Sequence, residues 1–123
     1  MTQTTNTAAP ASTTAPAATT RELEEHEFDA AVRPERLTVV DFAATWCGPC
    51  RRLEPILNEL AAEMPSIDFV KLDVDRSQSI AIRYGVQAVP TLLVLRSGRV
   101  VDRFVGLRSK GELADRLRQH DAA

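Results

Sequence analysis

The sequence predicts a single α/β domain built on a mixed β-sheet. Two β-branched apolar runs of strand length, 37–44 and 67–74, flank a longer segment whose apolar residues recur at helical spacing. Two further runs, 91–95 and 100–105, lie close enough along the chain to form a β-hairpin. Strands that alternate with helices and then end in a hairpin and a helix give a sheet with both parallel and antiparallel neighbours.

Composition supports one domain with a largely aliphatic core. The chain has 123 residues, of which 44% are hydrophobic and 5% are aromatic, so Val, Leu, Ile and Ala must fill most of the core. The formal net charge of -2 argues against nucleic acid or an anionic membrane as a partner, because both demand a basic face. No stretch approaches the ~20 apolar residues of a membrane span. We expect a monomer.

Residues 1–20 predict a flexible tail. They are mostly Thr, Ala and Pro and carry no charged side chain, so they cannot bury enough surface to offset the entropy of ordering. They also lack the basic and apolar regions of a secretory signal, and a cytoplasmic location is therefore expected. Composition changes at Arg21, where we expect a domain over 21–123 to begin.

The first element of the domain has two interpretations. Apolar residues among acidic ones predict a short helix over 25–32, ended by Pro34. Thr19 and Glu22 have capping-box spacing, which favours an earlier helix start. A helix that starts near Glu24 instead leaves room for a short strand before it. Spacing alone does not decide between the two.

The run 37–44 is predicted to be a central strand that is buried on both faces. Pro49 suits the first turn of the helix that follows, and Pro65 ends that helix. Pro55 falls inside the helix and is predicted to kink it. The apolar face of the helix consists of Leu53, Ile56, Leu57, Leu60, Ala61 and Met64.

The remaining elements follow from similar patterns. Residues 67–74 predict the next buried strand. Ser77 is predicted to cap a short helix that runs through Arg83 and is closed by Gly85. The hairpin turn and the last helix are marked by Ser97-Gly98, by the capping pair Ser109 and Glu112, and by the apolar Leu113 and Leu117.

The only two cysteines, Cys47 and Cys50, are three positions apart. A disulfide between them closes too short a loop to stabilise the fold strongly, so the pair indicates chemistry rather than architecture. They lie in the string Trp46-Cys47-Gly48-Pro49-Cys50, where a buried strand passes into a helix. The positive end of the helix dipole favours a thiolate, and the thiolate is the attacking species in disulfide exchange.

Position along the helix assigns different roles to the two thiols. Cys47 lies at the loop end, nearest the unpaired helix amides, and is predicted to be the accessible nucleophile. Cys50 lies one turn inside and is predicted to be the shielded thiol that resolves the mixed disulfide. No metal site is expected, because His26 and His120 lack finger-like spacing from the cysteines.

Several motifs in order along 21–123 resemble the thioredoxin family. The residues that carry the resemblance are Val40-Asp41-Phe42, Trp46-Cys47-Gly48-Pro49-Cys50, Pro55, Lys71-Leu72-Asp73-Val74-Asp75, Tyr84-Gly85-Val86, Val89-Pro90-Thr91, Gly98 and Val105-Gly106. The resemblance implies a thioredoxin fold, in which helices flank a central mixed β-sheet on both faces. It also favours a short strand just before Leu23, against the capping-box interpretation.

The same resemblance implies an activity. It implies a thiol–disulfide oxidoreductase that cycles between dithiol and disulfide and reduces disulfides in partner proteins. No bound cofactor is implied, since electrons come from NADPH through a flavin-dependent thioredoxin reductase. Gly48 and Pro49, as in reducing members of the family, favour reduction. Two alternatives remain open: an exported oxidase or isomerase, and a binding subunit for which redox chemistry is incidental.

The resemblance also assigns roles to residues around the cysteines. Asp41 is costly in an apolar strand unless it is paired or protonated, and it is implied to lie behind the cysteines and help deprotonate Cys50. Lys71, on the next strand, is its implied partner. Ala43 departs from the family, because many members carry a second tryptophan there, and its small side chain leaves open how deeply Asp41 is buried.

Substrate binding is implied for the surface around the nucleophile. The Val89–Pro90 bond is implied to be cis and to lie against the cysteines, where the Val89 backbone pairs with an extended substrate segment. Trp46 is expected beside the nucleophile and exposed, and Gly106 is expected to leave room for the substrate backbone. Gly48 and Pro49 complete the implied substrate-binding set.

Overall fold

The computed structural model describes residues 20–122, and within them the chain forms a five-stranded sheet with helices on both faces. The predicted tail lies outside the described residues except for Thr20. In chain order, the elements are β1 (Arg21–Glu22), a 3-10 turn (Glu25–Glu27), α1 (Phe28–Ala31), β2 (Thr38–Ala43), α2 (Gly48–Glu63), β3 (Asp68–Asp73), α3 (Gln78–Arg83), β4 (Thr91–Arg96), β5 (Arg99–Val105) and α4 (Lys110–Asp121).

The sheet is mixed, as the sequence predicts. Its strand order is β1-β3-β2-β4-β5. The strands β1, β3 and β2 run parallel, whereas β4 is antiparallel to both β2 and β5. The helix α2 follows the central strand β2 directly, so the loop between them lies at the carboxyl edge of β2, where the Cys string is found.

The start of the domain settles the two interpretations left open by spacing. Arg21–Glu22 is a strand that pairs with β3, so a helix does not begin after Thr19. The first helical turn begins after Glu24, and Glu24 and Glu27 form the capping box. The short helix predicted over 25–32 is therefore present, but as a 3-10 turn that runs into α1.

The central strand β2 is buried along all six residues, as predicted. Alternate residues point to opposite faces of the sheet, so β2 contributes to two cores. On one face Val39 packs with apolar residues of α2 and α4, including Leu57 and Leu113. On the other face Val40 and Phe42 pack with residues of α1 and α3.

The prediction that the whole run 67–74 is buried is wrong in part. Phe69, Val70 and Leu72 are buried, but Asp68, Lys71 and Asp73 of β3 are partly exposed. The outer neighbour β1 has only two residues, so it covers little of this side of the sheet. Polar side chains therefore reach solvent at the carboxyl end of β3.

The cap predicted for α3 also differs. Ser77 stands at the N-cap of α3, but its side chain makes no capping hydrogen bond. Its ψ of 51° departs from the extended conformation in which a serine hydroxyl reaches the amides of the first turn. Gly85 follows the helix with a φ of +65°, as its predicted closing role requires.

The C-terminal hairpin and helix form as predicted. Ser97 and Gly98, with φ of 54° and 78°, make the tight turn between β4 and β5, and two positive φ values suit the right-handed twist of a hairpin. Ser109 Oγ accepts a hydrogen bond from the Glu112 amide at 3.2 Å and caps α4. None of the described helices is long and apolar enough to cross a bilayer.

Candidate active site

Cys47 and Cys50 are joined by a disulfide at the start of α2, with 5.3 Å between their Cα atoms. Cys47 is the N-cap residue, and its extended backbone places its sulfur over the first turn. The Cys50 amide donates a hydrogen bond to Cys47 Sγ at 3.2 Å. The first amides of a helix have no partner within the helix, so this end favours negative charge on Cys47 Sγ. Gly48 and Pro49 form the first helical residues between them.

The predicted difference in accessibility is wrong for the disulfide form. Cys47 is 4% exposed and Cys50 is 5% exposed, so both are shielded. Cys47 is covered because its Sγ lies 3.7 Å from the carbonyl oxygen of Val89, in a loop distant in sequence. The two sulfurs differ instead in their place on α2, because Cys47 is the N-cap residue. The sequence predicted this difference by placing Cys47 at the loop end of the helix.

The loop before β4 carries the proline expected against the cysteines. The Val89–Pro90 peptide bond is cis, as the resemblance implied. The Gly106 amide donates a hydrogen bond to the Pro90 carbonyl oxygen at 2.8 Å, which ties the end of β5 to this loop. Gly106 has a φ of +91°, and a Cβ built there meets no atom within 4 Å. Open surface therefore adjoins the loop that covers Cys47.

Trp46 lies beside the disulfide and is 66% exposed, in agreement with the expectation. Its indole Nε1 donates a hydrogen bond to Asp75 Oδ2 at 2.9 Å. Asp75 follows β3, and no role was predicted for it beyond its place in the family motif. The bond holds the indole ring at the surface, next to the Cys string.

Asp41 lies in the middle of β2 and is 1% exposed, so the small Ala43 does not expose it. Burial raises the pKa of Asp41 to about 7, Lys71 opposes that rise, and Glu54 adds to it. Among the described residues, Asp41 Oδ1 has no hydrogen-bond partner. A carboxyl group in this environment gains and loses its proton near neutral pH.

Lys71 lies directly opposite Asp41 on β3, but the expected direct pairing is wrong. Lys71 Nζ forms an ion pair with Glu54 Oε2 at 2.8 Å, and within residues 20–122 no ion pair joins it to Asp41. The hydrogen bond that Lys71 Nζ donates to Glu54 is also the largest cause that raises the pKa of Lys71. Glu54 was not among the site residues predicted from the sequence. The available signal was its position four residues after Cys50, which places it on the same face of α2.

A pocket of about 300 Å³ opens beside Cys50 on the side of the sheet that carries Asp41. Its lining includes Ala43, Cys50, Glu54, Lys71 and Asp73. Arg51, which follows Cys50 in the chain, also lines the pocket and donates a hydrogen bond to the Thr45 carbonyl oxygen at 2.8 Å.

In the part of the chain that the structure describes, no group of three or more His, Cys, Asp or Glu side chains is placed to hold a metal ion.

A cysteine pair at a helix start, covered by a cis-proline loop on a mixed sheet, defines a thiol–disulfide oxidoreductase. The family model for thioredoxin matches residues 19–119. The chain belongs to the thioredoxin family, and it is a reductase that acts on disulfides of partner proteins.

Individual relatives agree with this assignment. A thioredoxin of Staphylococcus aureus is 45% identical over 95 residues, which covers 76% of this chain and 90% of that relative. Thioredoxin H-type 1 of Nicotiana tabacum is 42% identical over 95 residues, which covers 77% of this chain and 75% of that relative. The crystal structure of thioredoxin from Trypanosoma brucei brucei is similar with a TM-score of 0.81 at 29% identity, covering 89% of this chain and 97% of that one.

Proposed function

We propose that Cys47 is the attacking thiol and Cys50 the resolving thiol of this reductase. The observation that carries the assignment is the hydrogen bond from the Cys50 amide to Cys47 Sγ, which stabilises negative charge on Cys47. The Cys47 thiolate attacks one sulfur of a partner disulfide and expels the other as a thiolate. Cys50 then attacks Cys47 Sγ, releases the partner as a dithiol, and leaves the Cys47–Cys50 disulfide.

Asp41 is proposed to accept the proton of Cys50 during the second step. Its raised pKa supports this role, because a base with a pKa of about 7 is matched to proton transfer near neutral pH. Lys71 is proposed to act on the same step through its charge, which opposes the rise in the pKa of Asp41. Glu54 forms the ion pair with Lys71, and its own negative charge raises the pKa of Asp41.

The partner protein is proposed to bind across the surface of Trp46, Gly48, Pro49, Val89, Pro90 and Gly106. The Val89 carbonyl oxygen lies next to Cys47 Sγ, so an extended segment that pairs with this backbone places its disulfide near the nucleophile. The exposed indole of Trp46, the residue next to Cys47 in the chain, offers further apolar contact area.

The electron supply and the compartment belong to the same proposal. We expect NADPH to supply electrons through a thioredoxin reductase, and we place the protein in the cytoplasm, where a reduced dithiol persists. In this view the chain takes part in electron transport and cell redox homeostasis. The test is NADPH consumption by a thioredoxin reductase that depends on this protein.

The decisive experiment for Cys47 is reduction of insulin disulfides with dithiothreitol as the electron donor. Wild type should accelerate insulin precipitation, and Cys47→Ser should lose the acceleration. Cys50→Ser should instead accumulate a mixed disulfide at Cys47, which mass spectrometry detects. The assignment of the two roles would be overturned if Cys47→Ser formed a mixed disulfide on Cys50 as fast as Cys50→Ser forms one on Cys47.

A further inference from the structure

The segment between β2 and α2 brings Trp46 to the surface directly before Cys47. Ala44, at the start of the segment, is still buried, whereas Trp46 is 66% exposed. The Cys47 amide donates a hydrogen bond to the Ala44 carbonyl oxygen at 3.2 Å, so the segment is a tight turn. Little of the indole is packed against the core, and its position therefore depends on contacts from neighbouring elements.

Two elements that are distant in sequence supply these contacts. Asp75 Oδ2 accepts the hydrogen bond from the indole Nε1, and the Asp75 amide is itself bonded to Asp73 Oδ1 at 2.8 Å. Arg51 of α2 donates a hydrogen bond to the Thr45 carbonyl oxygen at 2.8 Å. That carbonyl belongs to the peptide group that joins Thr45 to Trp46. Asp75 thus holds the ring of Trp46, and Arg51 holds its backbone.

We propose that Arg51 is a positioning residue for partner binding, which fixes the Thr45–Trp46 peptide group so that the indole is already in place beside Cys47. The inference rests on the proposed function, because it assumes that partner proteins bind across Trp46. In this role Arg51 acts through Trp46 and not on the sulfur atoms.

Arg51 bonds to the loop although acidic side chains line the same pocket. Within residues 20–122 no ion pair joins Arg51 to Glu54 or Asp73, and Glu54 is instead paired with Lys71. A guanidinium is a charged donor, and its hydrogen bonds are stronger than those between neutral groups. The carbonyl oxygen before Trp46 is therefore held by a strong donor from the rigid first turns of α2.

A fixed indole lowers the cost of forming the complex. A side chain that is mobile in the free protein must be ordered when the partner binds, and that ordering slows association or weakens it. Loss of the Arg51 bond should therefore reduce the reaction with protein disulfides by roughly three- to tenfold. A small disulfide makes little contact with Trp46, so its reaction should hardly change.

The test compares a protein disulfide with a small one. Reduced wild type and reduced Arg51→Gln are mixed with insulin or with hydroxyethyl disulfide, and alkylation of the remaining thiols with mass spectrometry gives the rates. The substitution should slow the insulin reaction by roughly three- to tenfold. The hydroxyethyl disulfide reaction should stay within about twofold. Equal slowing of both reactions would show that Arg51 acts on the Cys47 thiolate, and it would overturn the positioning role.

The matched control for Arg51→Gln is Arg52→Gln. Loss of a positive charge alone slows the encounter with a partner of opposite charge. Arg52→Gln removes the same charge one residue further along α2, where the side chain is also exposed and, in the described part of the chain, bonds to no residue of the loop. Its insulin rate should stay within about twofold of wild type. A loss as large as that of Arg51→Gln would overturn the positioning role.

Trp46 supplies a direct readout, because it is the only tryptophan of the chain. Arg51→Gln should lower the fluorescence anisotropy of the indole and increase its quenching by acrylamide, whereas Arg52→Gln should change neither. Unchanged anisotropy in Arg51→Gln would contradict the proposal. In a Trp46→Ala background, Arg51→Gln should cost no further insulin rate, and an undiminished further loss would show that Arg51 does not act through Trp46.

Failure of this inference is distinguishable from failure of the proposed function. If Arg51→Gln reacts with insulin as fast as wild type while Cys47→Ser still abolishes insulin reduction, the positioning role is wrong and the reductase assignment stands. If Cys47→Ser keeps the activity, the proposed function itself is wrong. An unchanged insulin rate in Trp46→Ala would remove Trp46 from the partner-binding surface, and the role of Arg51 with it.

Discussion

Asp41 and Lys71 lie directly opposite each other on β2 and β3, yet the Lys71 ammonium bonds to Glu54 Oε2 at 2.8 Å. The buried carboxyl group of Asp41 is thus left without its nearest cation as a direct partner. Burial raises the pKa of Asp41 to about 7, and Glu54 contributes to the rise. Glu54 on α2 therefore takes part in setting the protonation of a residue that it does not bond.

Glu54→Gln should lower the pKa of Asp41. The substitution removes a negative charge near Asp41 and frees Lys71 to approach it, and both changes favour the carboxylate. The pKa can be followed by NMR titration of the Asp41 carboxyl carbon in the oxidised protein. Insulin reduction should then reach half its maximal rate at a lower pH.

The matched control for Glu54→Gln is Glu59→Gln. Glu59 lies on the same helix, but it pairs with Lys110, away from Asp41. Its loss should leave the Asp41 titration unchanged. An Asp41 pKa that stays the same or rises in Glu54→Gln would contradict the role given to Glu54.

Asp41 should make the oxidised protein less stable as the pH rises. Its pKa is raised from 3.8 to about 7 on folding, so the folded state holds a proton that the unfolded state has lost between these values. The stabilisation of the protonated form is fully present below about pH 4 and is lost as the pH rises through about 7. At ~1.4 kcal/mol per pKa unit, the loss over the whole window is on the order of 4 kcal/mol.

Asp41→Asn isolates this contribution. Urea unfolding at about pH 5 and about pH 8 should show a fall in the free energy of unfolding of the wild type that is about 2–3 kcal/mol larger than in the variant. The amide cannot ionise, so its buried side chain imposes no such pH dependence. If the free energy of unfolding changed with pH equally in the two proteins, the prediction would be wrong. Asp41 would then have nearly the same pKa in the folded and unfolded states.

Local sequence patterns predicted most helices and strands and placed the two cysteines at the start of a helix. These features were predictable because they depend on residues that are close in sequence. The period of the apolar residues locates β2 and α2, and the pair Ser109 and Glu112 locates the start of α4. Contacts between distant segments were not predictable in this way. The burial of Cys47 depends on Val89, 42 residues later, and no spacing rule indicates that contact.

The partner of Lys71 shows a different limit. The family resemblance implies that Lys71 lies near Asp41, and the register of the two strands confirms this placement. Neither the resemblance nor the pattern of the strand shows in which direction the long side chain of Lys71 extends. The carboxylate of Glu54, on the helix above the sheet, is a partner that leaves the Lys71 ammonium partly in water. Burying the ammonium beside Asp41 would cost more desolvation.

Leu57→Ala should lower the free energy of unfolding by about 2–5 kcal/mol, because Leu57 is fully enclosed between α2 and the sheet and its removal leaves a cavity. Urea unfolding at fixed pH measures the change. Ile82→Ala is the matched control, since Ile82 is 77% exposed on α3 and its truncation should change stability by no more than about 0.5 kcal/mol. Equal losses in the two variants would show that the core packing is not as described.

Ser109→Ala should destabilise the protein by about 1 kcal/mol, because the hydroxyl accepts the hydrogen bond from the Glu112 amide that caps α4. Ser77 provides the comparison. It occupies the same N-cap position in α3, but its side chain makes no capping bond, so Ser77→Ala should cost clearly less. Urea unfolding of both variants gives the two values side by side. A loss for Ser77→Ala that matches or exceeds the loss for Ser109→Ala would mean that the two caps do not differ in solution as the side-chain geometry indicates.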